Sequence, residues 1–130
     1  MSLFYIADHN GDVYIGKASL SNELDVDNYF LVEHGVLTVR EPGLYYVYAQ
    51  ICYNNNYVRN GFTIFHGDKE FLQCLHNSHA SSDALINTCH TSGLIYLRYN
   101  EQIHIRDLHM NRLTFLSDKS NRSFFGLMKV

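Results

Sequence analysis

An all-β sandwich or barrel is the fold class this sequence predicts. Three observations carry it: apolar residues recur with a period of two, turn residues break the chain at short intervals, and no segment holds a sustained helical stripe. The clearest alternation is Ile103-His104-Ile105-Arg106-Asp107-Leu108, which sets both isoleucines on one face. Phe62-Thr63-Ile64-Phe65-His66 and Leu31-Val32-Glu33-His34 are shorter β-branched or aromatic runs of the same kind. The punctuation falls at His34-Gly35, Glu41-Pro42-Gly43, Asn54-Asn55-Asn56, Asn60-Gly61, His66-Gly67-Asp68-Lys69, Tyr99-Asn100 and Asp118-Lys119-Ser120-Asn121. Lys17 to Leu24 is the one stretch where a turn of helix is expected.

Three runs depart from alternation because they are apolar on both faces: Leu44 to Tyr53, Gly93 to Leu97, and Ser123 to Val130. A strand with one wet face should alternate, whereas a strand covered on both sides need not. Each sheet of a lone small sandwich has one wet face. Three such strands therefore predict that one sheet is covered a second time, most simply by further copies of the chain. The competing reading is that long rings and loops cover the face from within one subunit.

The chain has 130 residues, of which 46% are hydrophobic, enough for one core and one domain spanning 1–130. Met1 and Ser2 read as residues added ahead of that domain. The ten Tyr and eight Phe suit half-buried sheets and interfaces, since a tyrosine ring is apolar while its hydroxyl tolerates water. With a net charge of −3 and no run of Lys or Arg, the chain lacks the basic face that phosphates require, which excludes a nucleic-acid-binding class. No apolar stretch approaches the ~20 residues of a membrane span, and no secretory leader is visible.

Of the three cysteines, Cys52 sits in an apolar run, where a buried free thiol is common. Cys74 and Cys89 flank a Ser-, His- and Asn-rich stretch. A bridge between them is favoured over two free thiols, and in the chain-entropy account it would contribute about 3 kcal/mol in an oxidising compartment.

The doubly apolar runs also carry a family likeness. Glu41-Pro42-Gly43-Leu44-Tyr45-Tyr46-Val47-Tyr48-Ala49-Gln50 resembles the third-strand Gly-x-Tyr-x-x-Tyr-x-Gln signature of the tumour necrosis factor superfamily. Ser123-Phe124-Phe125-Gly126-Leu127-Met128-Lys129-Val130 resembles that family's closing strand. Phe71-Leu72-Gln73-Cys74 and Asn87-Thr88-Cys89-His90-Thr91-Ser92-Gly93 are similar to the ectodysplasin-like branch, whose two cysteines pair. The likeness covers residues 28 to 130; Leu3 to Ala7 offers a stub of the first strand. It implies a jelly-roll sandwich of two antiparallel five-stranded sheets that forms a homotrimer. Tyr48, Tyr96 and Phe124 match aromatic positions near the trimer interface, the alternative being that they fill the protomer's own core. Leu113 and Phe115 match a buried Leu-x-Phe pair.

The catalytic readings are weaker. Eight histidines invite a metal, but no His-x-His pair of the cupin type occurs, and scattered loop or surface histidines are the better reading. Ser78-His79-Ala80-Ser81-Ser82-Asp83 contains triad letters without a nucleophile elbow, and no phosphate-binding glycine loop is present. No catalytic residue, metal or cofactor is expected. Asn121-Arg122-Ser123 is an N-glycosylation acceptor triplet.

The resemblance implies an extracellular ligand, secreted or shed from a type II membrane precursor, with no membrane contact by this domain. It would bind and cluster cysteine-rich receptors of the tumour necrosis factor receptor type. Candidate receptor contacts are Tyr57 and Arg59 in the loop after the third strand, and Leu75, His76 and His79 in the loop braced by the disulfide. The alternatives are a structural trimeric head of the complement or collagen-like type and, more remotely, a cupin-like metalloenzyme.

Overall fold

The computed structural model describes residues 2–9, 12–21, 29–78, 85–109 and 123–130. Among them ten strands form: β1 (Ser2–His9), β2 (Asp12–Ser21), β3 (Phe30–Glu33), β4 (Val36–Val39), β5 (Gly43–Asn55), β6 (Arg59–His66), β7 (Lys69–Asn77), β8 (Leu85–Leu97), β9 (Gln102–Asp107) and β10 (Phe124–Lys129). Every pairing is antiparallel. One sheet runs β2-β1-β10-β5-β8; the other runs β3-β4-β9-β6-β7. This is a jelly roll of two five-stranded sheets, as the likeness implied.

The core lies between the sheets and follows from strand parity. Along β5, Tyr45, Val47, Ala49, Ile51 and Tyr53 are buried, while the residues between them turn the other way. Phe125 and Leu127 from β10 and Leu97 from β8 fill the same layer, opposed by Leu37, Ile64, Ile103 and Ile105 of the second sheet. Each such side chain contributes about 1.5–3 kcal/mol by leaving water. Tyr45 is enclosed too, and its hydroxyl donates to the Glu41 carbonyl. Burial, reinforced by Glu41, pushes that phenol up to about 12.

The sandwich is closed differently on its two sides. At one side β2 hydrogen-bonds to β9 through Asp12↔Arg106 and Val13↔Ile105, joining the sheets. At the other, β7 and β8 are the sheet edges, and a Cys74–Cys89 disulfide with a Cα–Cα distance of 6.0 Å ties them together. Cys52 is free and buried, and its backbone N–H donates to Ser123 Oγ.

Local signals were overruled in three places. Lys17 to Ser21, expected to turn helically, are the last residues of β2, because their backbones pair with β1 through Ala18↔Phe4, Leu20↔Leu3 and Ser21↔Ser2; residues 22–24 lie outside the described segments. Asn60-Gly61 reads as a turn but is interior to β6: both residues are buried, and a Cβ on Gly61 would press on the Cys74 carbonyl and Leu75. Asn54 and Asn55 still belong to β5, paired to Ile86 and Leu85. The hairpins at His34-Gly35 and Gly67-Asp68 form as expected. Both loop residues of the first have positive φ (54° and 78°), the geometry that matches strand twist.

Candidate functional site: an apolar sheet face and a loop cluster

Two surfaces stand out once the strands are placed. The first is the outward face of the β2-β1-β10-β5-β8 sheet. Residues directly opposite in antiparallel strands share a face, so the pairs Leu44↔Tyr96, Tyr46↔Leu94, Tyr48↔Ser92, Gly126↔Tyr48 and Met128↔Tyr46 define one continuous surface. Much of it is apolar and solvent-facing: Leu94 is 58% and Tyr96 57% exposed, and Leu44 and Met128 are exposed as well, while Ser92, His90 and Thr88 separate them from exposed Ile86. Single exposed apolar residues are ordinary, but a contiguous field of them marks an interaction surface.

The three aromatics read from the sequence all lie on this face. Tyr96 stands out in solvent, while Tyr48 and Phe124 are half-buried and meet edge-to-face at 6.2 Å. Tyr46 packs 5.8 Å from Tyr48 on the other side. None of the three rings fills the protomer core; they point away from it. Tyr48 lies over Gly126, where a Cβ would come within 2.6 Å of its hydroxyl oxygen, so the glycine makes the ring's seat. That hydroxyl is buried without a hydrogen-bond partner among the described residues. Burial, and then Tyr46, hold its pKa above the ordinary tyrosine value. Removing an unsatisfied hydroxyl should relieve its desolvation cost, of about 1–3 kcal/mol. Tyr48→Phe is accordingly expected to melt no lower than the parent chain, and a lower midpoint in thermal unfolding would show that the hydroxyl has a partner.

The second surface is the loop end where β5 meets β6, β7 ends and β9 ends. Four of the five residues expected to contact a partner come together here. Tyr57 lies in the β5–β6 connection, whereas Arg59, Leu75 and His76, expected in loops, lie on strands because their backbones pair: Arg59 opens β6, and Leu75 and His76 on β7 sit opposite Gly61 and Asn60. His79 lies outside the described residues, as do Leu113, Phe115 and Asn121. Leu75 faces out and is 50% exposed, whereas its neighbour His76 shares the inward face of buried Asn60.

Polar contacts hold the loop. Asn55 and Asn60 exchange amide hydrogen bonds at 3.0 and 2.9 Å, and Asn55 Oδ1 also accepts from the Tyr57 N–H. Arg59 Nε donates to Asn77 Oδ1, the Ser78 hydroxyl donates to the Tyr57 carbonyl, and the Ser78 N–H donates to the Val58 carbonyl. Sequence reasoning missed Val58, Leu108 and His109. Val58 and Leu108 are exposed apolar residues at the rim, and the His109 ring packs at a tilt of 46° against Tyr57 with centroids 4.7 Å apart. Leu108 is brought opposite Gly61 by a bond from its N–H to the Gly61 carbonyl. The Asp107-x-His109 spacing is the one local signal, since Asp107 Oδ1 accepts from the His109 N–H two residues on.

Two further histidines, His66 and His104, are held by their neighbours. His66 Nε2 lies 2.8 Å from Glu101 Oε2, linking the β6–β7 hairpin to the β8–β9 turn. The Arg98 N–H and then His66 hold the Glu101 carboxyl below its ordinary value. His104 stacks flat on Phe65 at 4.9 Å, and Arg106 crowds the same ring. Burial, then Arg106, lower the His104 pKa. A folded-state value below the unfolded one means that the unfolded chain binds the proton more tightly. Stability carried by neutral His104 is therefore intact above about pH 6.5 and is lost as pH falls through the folded-state value. His104→Phe should flatten the decline of the melting midpoint between about pH 7 and pH 5; an unchanged slope would assign the decline to other groups. Among the described residues no cluster of three or more His, Cys, Asp or Glu is placed to hold a metal.

Comparison with known proteins agrees with this geometry. The sequence model of the TNF (tumour necrosis factor) family matches residues 19–130. No curated protein matches by sequence. Among solved structures, an Eiger TNF from S. frugiperda superposes with a TM-score of 0.80 at 17% identity, covering 99% of this chain and 90% of the other. Murine APRIL at pH 8.5 superposes at 0.75 with 14% identity, covering 99% and 98%. Murine APRIL at pH 5.0 superposes at 0.75 with 16% identity, again covering 99% and 98%. At such identities the superpositions speak for the jelly roll alone, and the family model speaks for the lineage. By that match, over most of its length, this chain belongs to the tumour necrosis factor family.

Proposed function

We propose that the chain is an extracellular cytokine ligand that assembles as a homotrimer and clusters cysteine-rich receptors of the tumour necrosis factor receptor type. The observation that carries this reading is the continuous apolar face spanning β8, β5 and β10. A soluble subunit with that face open to water would leave Leu44, Leu94, Tyr96 and Met128 exposed and Tyr46, Tyr48 and Phe124 only half-covered. Tyr48, Tyr96 and Phe124 sit in the proposed interface. The loop cluster of Tyr57, Val58, Arg59 and Leu75 lies off that face, free to meet a receptor. Threefold clustering then gives avidity without new contacts.

A Cys74–Cys89 bridge fits secretion into an oxidising compartment, whether directly or by shedding from a type II precursor. Light scattering tests the assembly: a stable species of three times the subunit mass is expected. A monomer that persists at all concentrations would remove the reading. Capture of a cysteine-rich receptor ectodomain by the trimer separates a signalling ligand from a structural head, which would trimerise equally and capture none.

A further inference from the structure

The geometry points to His109 as a positioning residue for the loop that carries Tyr57 and Arg59. This inference rests on the reading of that loop as a receptor contact. A chain of contacts starts in the core and ends at the loop. The Tyr53 hydroxyl, fully buried, donates to Asp107 Oδ2 at 3.0 Å. Asp107 is itself buried, and its other oxygen accepts the His109 N–H at 3.0 Å. The His109 ring turns back across the end of the sandwich, where Nε2 lies 2.7 Å from the Arg59 carbonyl oxygen. A carbonyl only accepts, so Nε2 is the donating nitrogen of this bond. The same ring packs on Tyr57. One side chain thus holds the backbone of one candidate contact and the ring of the other, from an element fifty residues away in sequence.

The anchor explains why an exposed five-atom ring can order a loop. Asp107 is buried and held by the Tyr53 hydroxyl of the core, so His109 starts from a rigid mount. Pre-ordering raises the fraction of molecules in which Tyr57 and Arg59 are presented together. The apparent dissociation constant scales inversely with that fraction. His109 touches no partner in this scheme; it acts through the two residues it holds.

Three variants of the assembled domain test it: His109→Ala, His109→Phe, which keeps a ring against Tyr57 but has no donor, and His109→Gln, which keeps a donor for the Arg59 carbonyl. The first measurement is hydrogen exchange of the Tyr57 amide, which is bonded to Asn55 Oδ1. Exchange should quicken about tenfold in the Ala and Phe variants and return toward the parent rate with Gln. The second is binding to an immobilised cysteine-rich receptor ectodomain that captures the parent trimer. Affinity should fall about tenfold in the Ala and Phe variants at unchanged trimer mass and be restored in part by Gln. Unchanged exchange in His109→Ala overturns the inference at the latch itself, whatever the receptor does. Faster exchange with unchanged receptor affinity overturns it at the other end, by removing Tyr57 and Arg59 from the receptor contact while leaving the trimer reading untouched.

Discussion

Tyr48→Asp is expected to convert the proposed trimer into monomers. The residue lies near the middle of the apolar face, between Tyr46 and Phe124 and over Gly126. An aspartate there keeps β pairing possible but sets one carboxylate per subunit against a surface with no cationic partner among its described neighbours. Burying an unpaired charge costs about 3–5 kcal/mol for each subunit, which exceeds what most single interface residues contribute. Sedimentation or light scattering at micromolar concentration should report the subunit mass, while far-ultraviolet circular dichroism retains the strand signature. Tyr48→Phe, which keeps the ring, should remain trimeric. If the aspartate variant stayed trimeric and bound receptor normally, the assembly would have to use another surface.

The second large effect is expected from removing the bridge. Cys74→Ser combined with Cys89→Ser releases the disulfide that ties the two sheet edges together, joining residues 15 apart in sequence. The loss of loop restraint in the unfolded chain predicts a destabilisation of about 3 kcal/mol, or a fall of roughly 10 °C in melting midpoint for a domain of this size. A fall below about 1 kcal/mol would mean that the β2–β9 pairing and the core alone hold the sheets in register. Cys52 is unsuited to replace either partner, since it is buried on a different strand with its backbone held by Ser123.

Much of this molecule was legible before any coordinates. The absence of alternation in Leu44 to Tyr53 was the strongest signal, and it resolved into two populations: odd residues from Tyr45 to Tyr53 in the core, even residues from Leu44 to Tyr48 on the outer face. Parity alone cannot tell a second buried face from a careless one; three neighbouring strands with the same defect can. What the letters concealed depended on distant partners. Lys17 to Ser21 have no strand pattern of their own and become strand because β1 lies alongside them. Asn60-Gly61 has the composition of a turn, yet β7 and β9 flank it and Asn55 satisfies the Asn60 amide.

The loop cluster was half legible for the same reason. Tyr57 and Arg59 could be chosen as a ring and a guanidinium in a loop after a long strand, and Leu75 by its place beside a cysteine. Their convergence, and the histidine that holds two of them, depends on β9 ending beside β6, a pairing that no local window contains. His76 illustrates the limit from the other side. It is adjacent to Leu75 in the chain, but strand parity turns it to the opposite face.

The clasp between β7 and β8 has a consequence for how the chain must be made. Both are terminal strands of their sheets, nine and thirteen residues long, and each offers a row of backbone groups able to template a neighbouring molecule. The disulfide keeps the two edges side by side at one flank of the sandwich. A chain kept reduced during synthesis would let them part and recruit other chains edge to edge, so oxidation during production should govern whether the product is soluble ligand or strand-rich aggregate.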